Sequence, residues 1–144
     1  MKTGYLYLQT HPDHPGMVRF LTRDTLPDTD PASDSHEPAV RYVARFIDIE
    51  AAQMHVQNNL RHQLIDIDTH MYRTSLPEAM AVVESDDLKH KRIWLDPSLG
   101  EQELGLMEQS TRVLRSKARR FDRLWQGVGI MFVVLLVLRA LGLF

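Results

Sequence analysis

The chain is predicted to be an α+β protein: a small, mostly antiparallel sheet covered by helices, followed by a long helix and one C-terminal transmembrane helix. Three observations predict it. Short alternating segments of strand character fill the N-terminal third, two helices carry their own start signals in the middle, and the last stretch is almost wholly apolar. The element order β-β-β-α-β-α suits a sheet with helices packed on it.

From Gly4 to Gln9, Leu6 and Leu8 alternate with Tyr5 and Tyr7, and strand character returns from Met17 to Thr22. The intervening His11-Pro12-Asp13-His14-Pro15-Gly16 is a turn by composition, which makes these two strands a hairpin. Residues 24–38 are rich in proline and acid and poor in apolar side chains, so an exposed and mobile loop is expected there. A third strand follows from Ala39 to Ile47. Asp48 can cap a helix whose Ile49, Ala52, Val56, Leu60 and Leu64 form one apolar stripe. A short strand near Met71 to Thr74 leads to Ser75 and Glu78, a capping box that opens a helix through about Glu84. Lys91 to Leu95 adds an edge strand. Ser98 and Glu101, just after Pro97, have the same spacing and mark the start of a helix with no later proline to stop it.

A chain of 144 residues, 44% apolar and 25% charged, has room for one compact domain and an appendage. Its formal charge of −2 conceals an asymmetry. Residues 1–110 carry 10 Lys+Arg against 18 Asp+Glu, a balance of −8, whereas residues 111–144 carry 7 against 1, a balance of +6. So acidic a body is unlike a general nucleic-acid binder, whose affinity comes from Lys and Arg. The absence of cysteine excludes disulfides, thiol nucleophiles and thiolate metal sites, and it fits a reducing compartment. The N-terminus shows no apolar stretch of signal-peptide length.

Between Leu124 and Phe144 the only polar residues are Gln126 and Arg139, and a helix of this length spans about 30 Å, the hydrocarbon thickness of a bilayer. Trp125 falls where an interfacial aromatic sits, and Arg139 is close enough to the end to reach the far headgroups. Ahead of it Arg112, Arg115, Lys117, Arg119, Arg120 and Arg123 form a basic flank suited to anionic lipid headgroups. By the positive-inside rule the N-terminal domain then lies in the cytosol, on a single-pass protein of the inner or another cytoplasm-facing membrane. Three regions result: a domain over 1–96, a basic linking helix over 97–123 and an anchor over 124–144. Along the linking helix Leu104, Met107, Thr111, Leu114, Ala118, Phe121 and Trp125 recur in steps of three and four, a heptad seam. The seam either packs on the chain's own domain or joins copies into a homo-oligomer.

Gly4-Tyr5-Leu6-Tyr7-Leu8, then Pro15-Gly16-Met17-Val18-Arg19-Phe20, then Met71-Tyr72-Arg73 after the helix, together with the element order, resemble the GIY-YIG nuclease superfamily, especially its bacteriophage-type DNA-binding branch. The likeness covers about residues 4–84. It implies metal-dependent phosphodiester hydrolysis, with tyrosines activating water, an arginine supporting the phosphate and a glutamate holding a divalent ion. Tyr7 matches the first tyrosine position, but Leu21 stands where the second motif has glycine. The segment 24–38 offers no Arg or Lys in place of the family's arginine-bearing helix. His70 stands near the place of the glutamate, and Gln53 and Gln57 fall where the branch often has an acid and a histidine. Imidazole is a poor magnesium ligand, so the resemblance implies a pseudo-nuclease without catalytic residues, cofactor or metal; Tyr7 and His70 are the pair that would act, with a divalent metal, in an active enzyme.

Three functions follow as expectations. The first is a membrane-tethered binding or scaffold module for a protein or nucleic-acid partner, contacted through Arg19, Arg41 and Arg45. The second is an active divalent-metal DNA endonuclease at the membrane. The third is an oligomeric membrane assembly subunit. Two other polar groupings, His11 with Asp13 and His14, and His55 with Asn58, Asn59 and His62, are read as exposed rather than as sites.

Overall fold

The computed structural model describes residues 1–30 and 36–142. Its elements in chain order are β1 (Gly4–Thr10), β2 (Met17–Arg23), β3 (Ala39–Phe46), α1 (Ile49–Asn59), β4 (Leu64–Asp66), β5 (Met71–Arg73), α2 (Leu76–Glu84), β6 (His90–Leu95) and α3 (Glu101–Ala140). The six strands form one sheet in the order β4-β5-β2-β1-β3-β6, with every neighbouring pair antiparallel. The α+β class is therefore observed, and α3 is long and apolar enough to cross a membrane.

The β1–β2 hairpin closes through Gly16, whose φ of 73° lies in the left-handed region open to glycine. Gly4 matters for a different reason. A Cβ there would sit 3.0 Å from the Arg23 carbonyl and 3.1 Å from Ile49, so the bare α-carbon is what lets the start of α1 approach β1.

Strand alternation splits the sheet into two faces. Leu6, Leu8, Val18, Phe20, Tyr42, Ala44, Phe46 and Tyr72 point to one face and join Ile49, Ala52 and Val56 of α1 and Ala79, Met80 and Val83 of α2 in a single core. Two caps are as the sequence predicts. The Asp48 carboxylate accepts the Ala51 amide at 3.2 Å, and the Ser75 hydroxyl accepts the Glu78 amide at 3.4 Å. The Glu78 side chain, however, receives the Thr74 hydroxyl at 3.3 Å.

Two expectations are corrected. Leu64 does not extend the α1 stripe, because the helix ends at Asn59 with Leu60 as its C-cap; Asn58 and Asn59 favour the turn, and Leu64 opens β4, a strand that the helical spacing disguised. Ser98 is not the cap of α3. Its amide is taken by the Asp96 carboxylate at 2.8 Å in a preceding turn, so the helix starts two residues later, with Gly100 donating its amide to Glu103 at 3.2 Å. The segment over 24–38 is irregular and mostly exposed in its described parts, as expected, with Pro27 buried; residues 31–35 lie outside the described residues, as do residues 143–144 of the expected anchor.

The first four turns of α3 belong to the domain. Met107 and Thr111 are buried, Leu104 and Leu114 pack against the core, and Leu99 just ahead of the helix is buried too. The seam therefore packs on the chain's own domain as far as Leu114. Beyond it Ala118, Phe121 and Trp125 are exposed, as is almost every residue onward.

Candidate functional site: the helix-free face of the sheet

The second face of the sheet has no helix on it. Pairing places Tyr5 opposite Arg23 on one side and Arg45 on the other, and Arg45 opposite Lys91. Directly opposed residues share a face, so Arg23, Tyr5, Arg45 and Lys91 form one row across four strands, about 14 Å long at normal strand spacing. The next row is Leu21, Tyr7, Val43 and Trp94. Arg73 and Arg19 continue the same face on the β5 side.

The charge of the body is sorted by this arrangement. The five strands other than β4 contain no Asp or Glu, while they supply Arg19, Arg23, Arg41, Arg45, Arg73 and Lys91 to the helix-free face. Apart from Asp66 of β4, the carboxylates of the described residues sit on helices and loops. An acidic domain thus carries one cationic side, which a net charge cannot reveal.

The middle of this face is covered. Tyr7 is 5% and Val43 0% exposed, although neither belongs to the core on the helix side. In the described part of the β2–β3 connection, Pro27 is buried as well. Arg23 closes the row's outer end, with its guanidinium carbon 5.8 Å from the centre of the Tyr7 ring.

The three arginines expected to contact a partner separate. Arg19 is half-buried; its Nε donates to the Thr69 carbonyl at 3.1 Å and its terminal nitrogen reaches Gln9 at 3.5 Å. Arg41 sits at a β-bulge and pairs with Asp96 at 2.9 Å, and its Nε is buried without an acceptor among the described residues. Both hold loops in place. Arg45 is exposed, and no carboxylate within the described residues pairs with it.

Tyr7 and His70 do not meet. Tyr7 lies on the helix-free face, whereas His70 shares a space of only about 10 Å3 on the other face with Thr22, Gln53, Gln57 and Tyr72. His70 has a left-handed backbone, φ 53°. Its Nδ1 lies 2.6 Å from the Ile67 carbonyl, which assigns the proton there and leaves Nε2 to accept from the Gln53 amide at 3.3 Å. The contact of His70 with Gln53 and Gln57 follows the sequence's expectation of proximity, but the space holds about one water at most. Among the described residues no three His, Asp or Glu side chains are grouped to hold a metal ion.

Of the basic flank, Arg115 is committed to the domain. Its terminal nitrogen donates to the Glu84 carbonyl at 2.6 Å, at the C-terminal end of α2 where a cation is favoured. Arg112 pairs loosely with Glu108 at 3.6 Å, and Lys117, Arg119, Arg120 and Arg123 are exposed, as are Trp125 and Arg139.

Sequence reasoning missed two features. One is the Glu84 node: its carboxylate receives the buried Tyr42 hydroxyl at 2.8 Å and Arg92 at 2.7 Å, so one residue ties β3, β6, α2 and, through its carbonyl, α3. Burial, then Glu84, pushes the Tyr42 phenol far above its ordinary range. The other is the set Arg23, Tyr5, Lys89 and Lys91, for which strand alternation around Tyr7 and Arg45 was the available signal. Set against models of protein families, curated proteins and solved structures, the chain matches none.

Proposed function

We propose that the protein is a membrane-tethered, non-catalytic binding module, with its domain on the cytosolic side and the helix-free face of the sheet presented to a protein or nucleic-acid partner. The carrying observation is the sorting of charge: a domain of net −8 over residues 1–110 gathers six cations and Tyr5 on one face. Aromatic rings between cations suit polyanions with stackable bases as well as acidic protein surfaces. The separation of Tyr7 from His70 supports a binding role over hydrolysis, as the resemblance to a degenerate GIY-YIG domain does. The basic flank and the exposed apolar helix support single-pass attachment with this orientation.

The test is binding of a fluorescent single-stranded oligonucleotide by the full chain in neutral detergent, at about 50 and 200 mM salt. Salt-sensitive binding that is lost with Arg45→Glu and Lys91→Glu is expected, without cleavage when magnesium or manganese is added. Binding indifferent to salt and to both reversals would leave a protein partner. Cleavage abolished by Tyr7→Phe and by His70→Ala would make the protein an endonuclease instead.

A second function rests on Ala118, Phe121 and Trp125, which continue the heptad seam past the domain and are exposed, the Phe121 and Trp125 rings meeting edge to face with centroids 6.1 Å apart. They favour self-association of the helix beside or within the bilayer. Crosslinking of the full chain against one lacking residues 125–144 checks it.

A further inference from the structure

At the β6 end of the cationic face lies a groove of about 450 Å3 lined by Thr3, Arg45, Ile47, Lys89, His90 and Lys91 along with Phe46 and Ile93. It contains three cationic side chains and no carboxylate. Arg45 and Lys91 stand directly opposite each other on paired strands, an arrangement of like charges that destabilises a sheet. Neither has an acidic partner among the described residues, although Glu84 neutralises the neighbouring Arg92 on the other face at 2.7 Å. The fold thus balances one β6 cation and leaves the other facing a second positive charge.

The floor of the groove is ordered. The His90 ring stacks on buried Phe46 with centroids 4.9 Å apart, and its Nδ1 is 2.7 Å from the Leu88 carbonyl, which turns Nε2 away from that bond. The Thr3 hydroxyl is occupied by the Ile47 carbonyl at 3.4 Å. What remains to meet a ligand on the face of Arg45 is a guanidinium and two ammonium groups beside a shallow space. That set matches a phosphate group, whose oxygens accept charge-assisted hydrogen bonds from both Arg and Lys.

We propose that this groove is a phosphate-binding site, taking either a phospholipid headgroup of the bilayer that holds the chain or a soluble phosphate compound. Arg45 supplies the planar donor fork, and Lys89 and Lys91 supply mobile charges on either side. A bound phosphate relieves the repulsion between Arg45 and Lys91, so the site costs the free domain stability that the ligand restores. The proposal rests on membrane attachment and on use of this face for binding, and names the chemistry at its β6 end.

The test uses the full chain in lipid nanodiscs, with acylation rates of Lys89 and Lys91 read by peptide mass spectrometry. Lys2, which pairs with Asp24 outside the groove, serves as the internal control. Zwitterionic discs receive inorganic pyrophosphate; a second set contains about 20% anionic phospholipid and no pyrophosphate. Slowing of both groove lysines in the first arm identifies a soluble phosphate, slowing in the second a headgroup, and slowing in both the shared chemistry; each supports the site. Arg45→Gln should weaken the protection at least tenfold. Lys91→Gln should do the same for Lys89 while raising the melting temperature of the ligand-free protein, a gain that shows the variant is folded. Unchanged rates in both arms, or full protection in Arg45→Gln, would overturn the groove. A chain that never enters discs would instead overturn membrane attachment, so the two failures are distinguishable.

Discussion

The two halves of α3 share one backbone helix and live in different surroundings. Over residues 101–115 the helix has a buried stripe and a polar outside: Met107 and Thr111 are enclosed, Leu104 and Leu114 pack on the core, and Arg115 ends on α2. From Ala118 to Ala140 the apolar residues point in every direction and almost all are exposed, including Phe121, Trp125, Ile130 and Phe132 at 60% or more. An amphipathic helix needs a neighbour on one side only, whereas a helix apolar all round needs an apolar solvent. The 40 residues together span about 60 Å, so one element can be a component of the domain at its start and a bilayer segment at its end. The stretch from Arg115 to Leu124 adds only about 14 Å, which would keep the domain close to the headgroups of a bilayer crossed by the rest of the helix.

The largest effect should come from moving the chain end across this boundary. A chain ending after residue 117 keeps every packed residue of α3, and it should fold and remain in aqueous solution without detergent. A chain ending after residue 96 loses Leu99, Leu104, Met107, Thr111 and Leu114, apolar burial worth roughly 6 kcal/mol, comparable with a whole domain's stability. It should lack a cooperative melting transition. Equal behaviour of the two chains would mean that α3 contributes nothing to the core.

A point substitution sharpens the same contrast. Met107→Ala should lower stability by about 2–4 kcal/mol, because it opens a space inside the core. Phe121→Ala removes a larger side chain but should change domain stability by no more than about 0.5 kcal/mol. Denaturant titration of the full chain in detergent, followed at Trp94, measures both.

How much of this was legible in the sequence depends on the range of the signal. Asp48 and Ser75 announce their helices within four residues, and the hairpin turn announces itself through Pro15 and Gly16, so these elements stand where expected. Leu64 was misassigned because spacing of four continues a helical stripe on paper, whereas the chain turns at Leu60. Ser98 was misassigned because Asp96 competes for the same amides two residues earlier. The binding surface was half legible. Arg45 could be placed on a face by alternation, but that Arg19 and Arg41 are committed to Thr69 and Asp96, and that Arg23 and Lys91 fall in register with Arg45, follows only from pairing between strands far apart in sequence. Nothing local marks Glu84 as a meeting point of four elements.

That node gives the next effect in size. Replacing Glu84 by Leu leaves the enclosed Tyr42 hydroxyl without its acceptor and should cost about 1–3 kcal/mol. The pH dependence has a definite sign. The phenol's pKa is raised on folding, so its contribution is complete below the ordinary value of about 10 and is lost as pH climbs beyond it toward the folded value. Melting temperatures should therefore fall above about pH 10 in the native protein and fall less steeply in Tyr42→Phe, which has no such proton to lose.

The smallest expected difference lies between two arginines one turn apart on α3. Arg115 donates to the last turn of α2 at 2.6 Å and gains from that helix's negative end, so Arg115→Ala should cost about 0.5–1.5 kcal/mol. Arg112 faces Glu108 at 3.6 Å with 83% of its side chain exposed, a pair that water and salt already screen. Its removal should be close to neutral, within about 0.3 kcal/mol. Because both lose the same charge from the same flank, nanodisc affinity for anionic lipid should drop equally in the two variants while only one loses domain stability. Equal stability losses would mean that Arg115, like Arg112, acts through charge alone and that the seam of α3 ends before it.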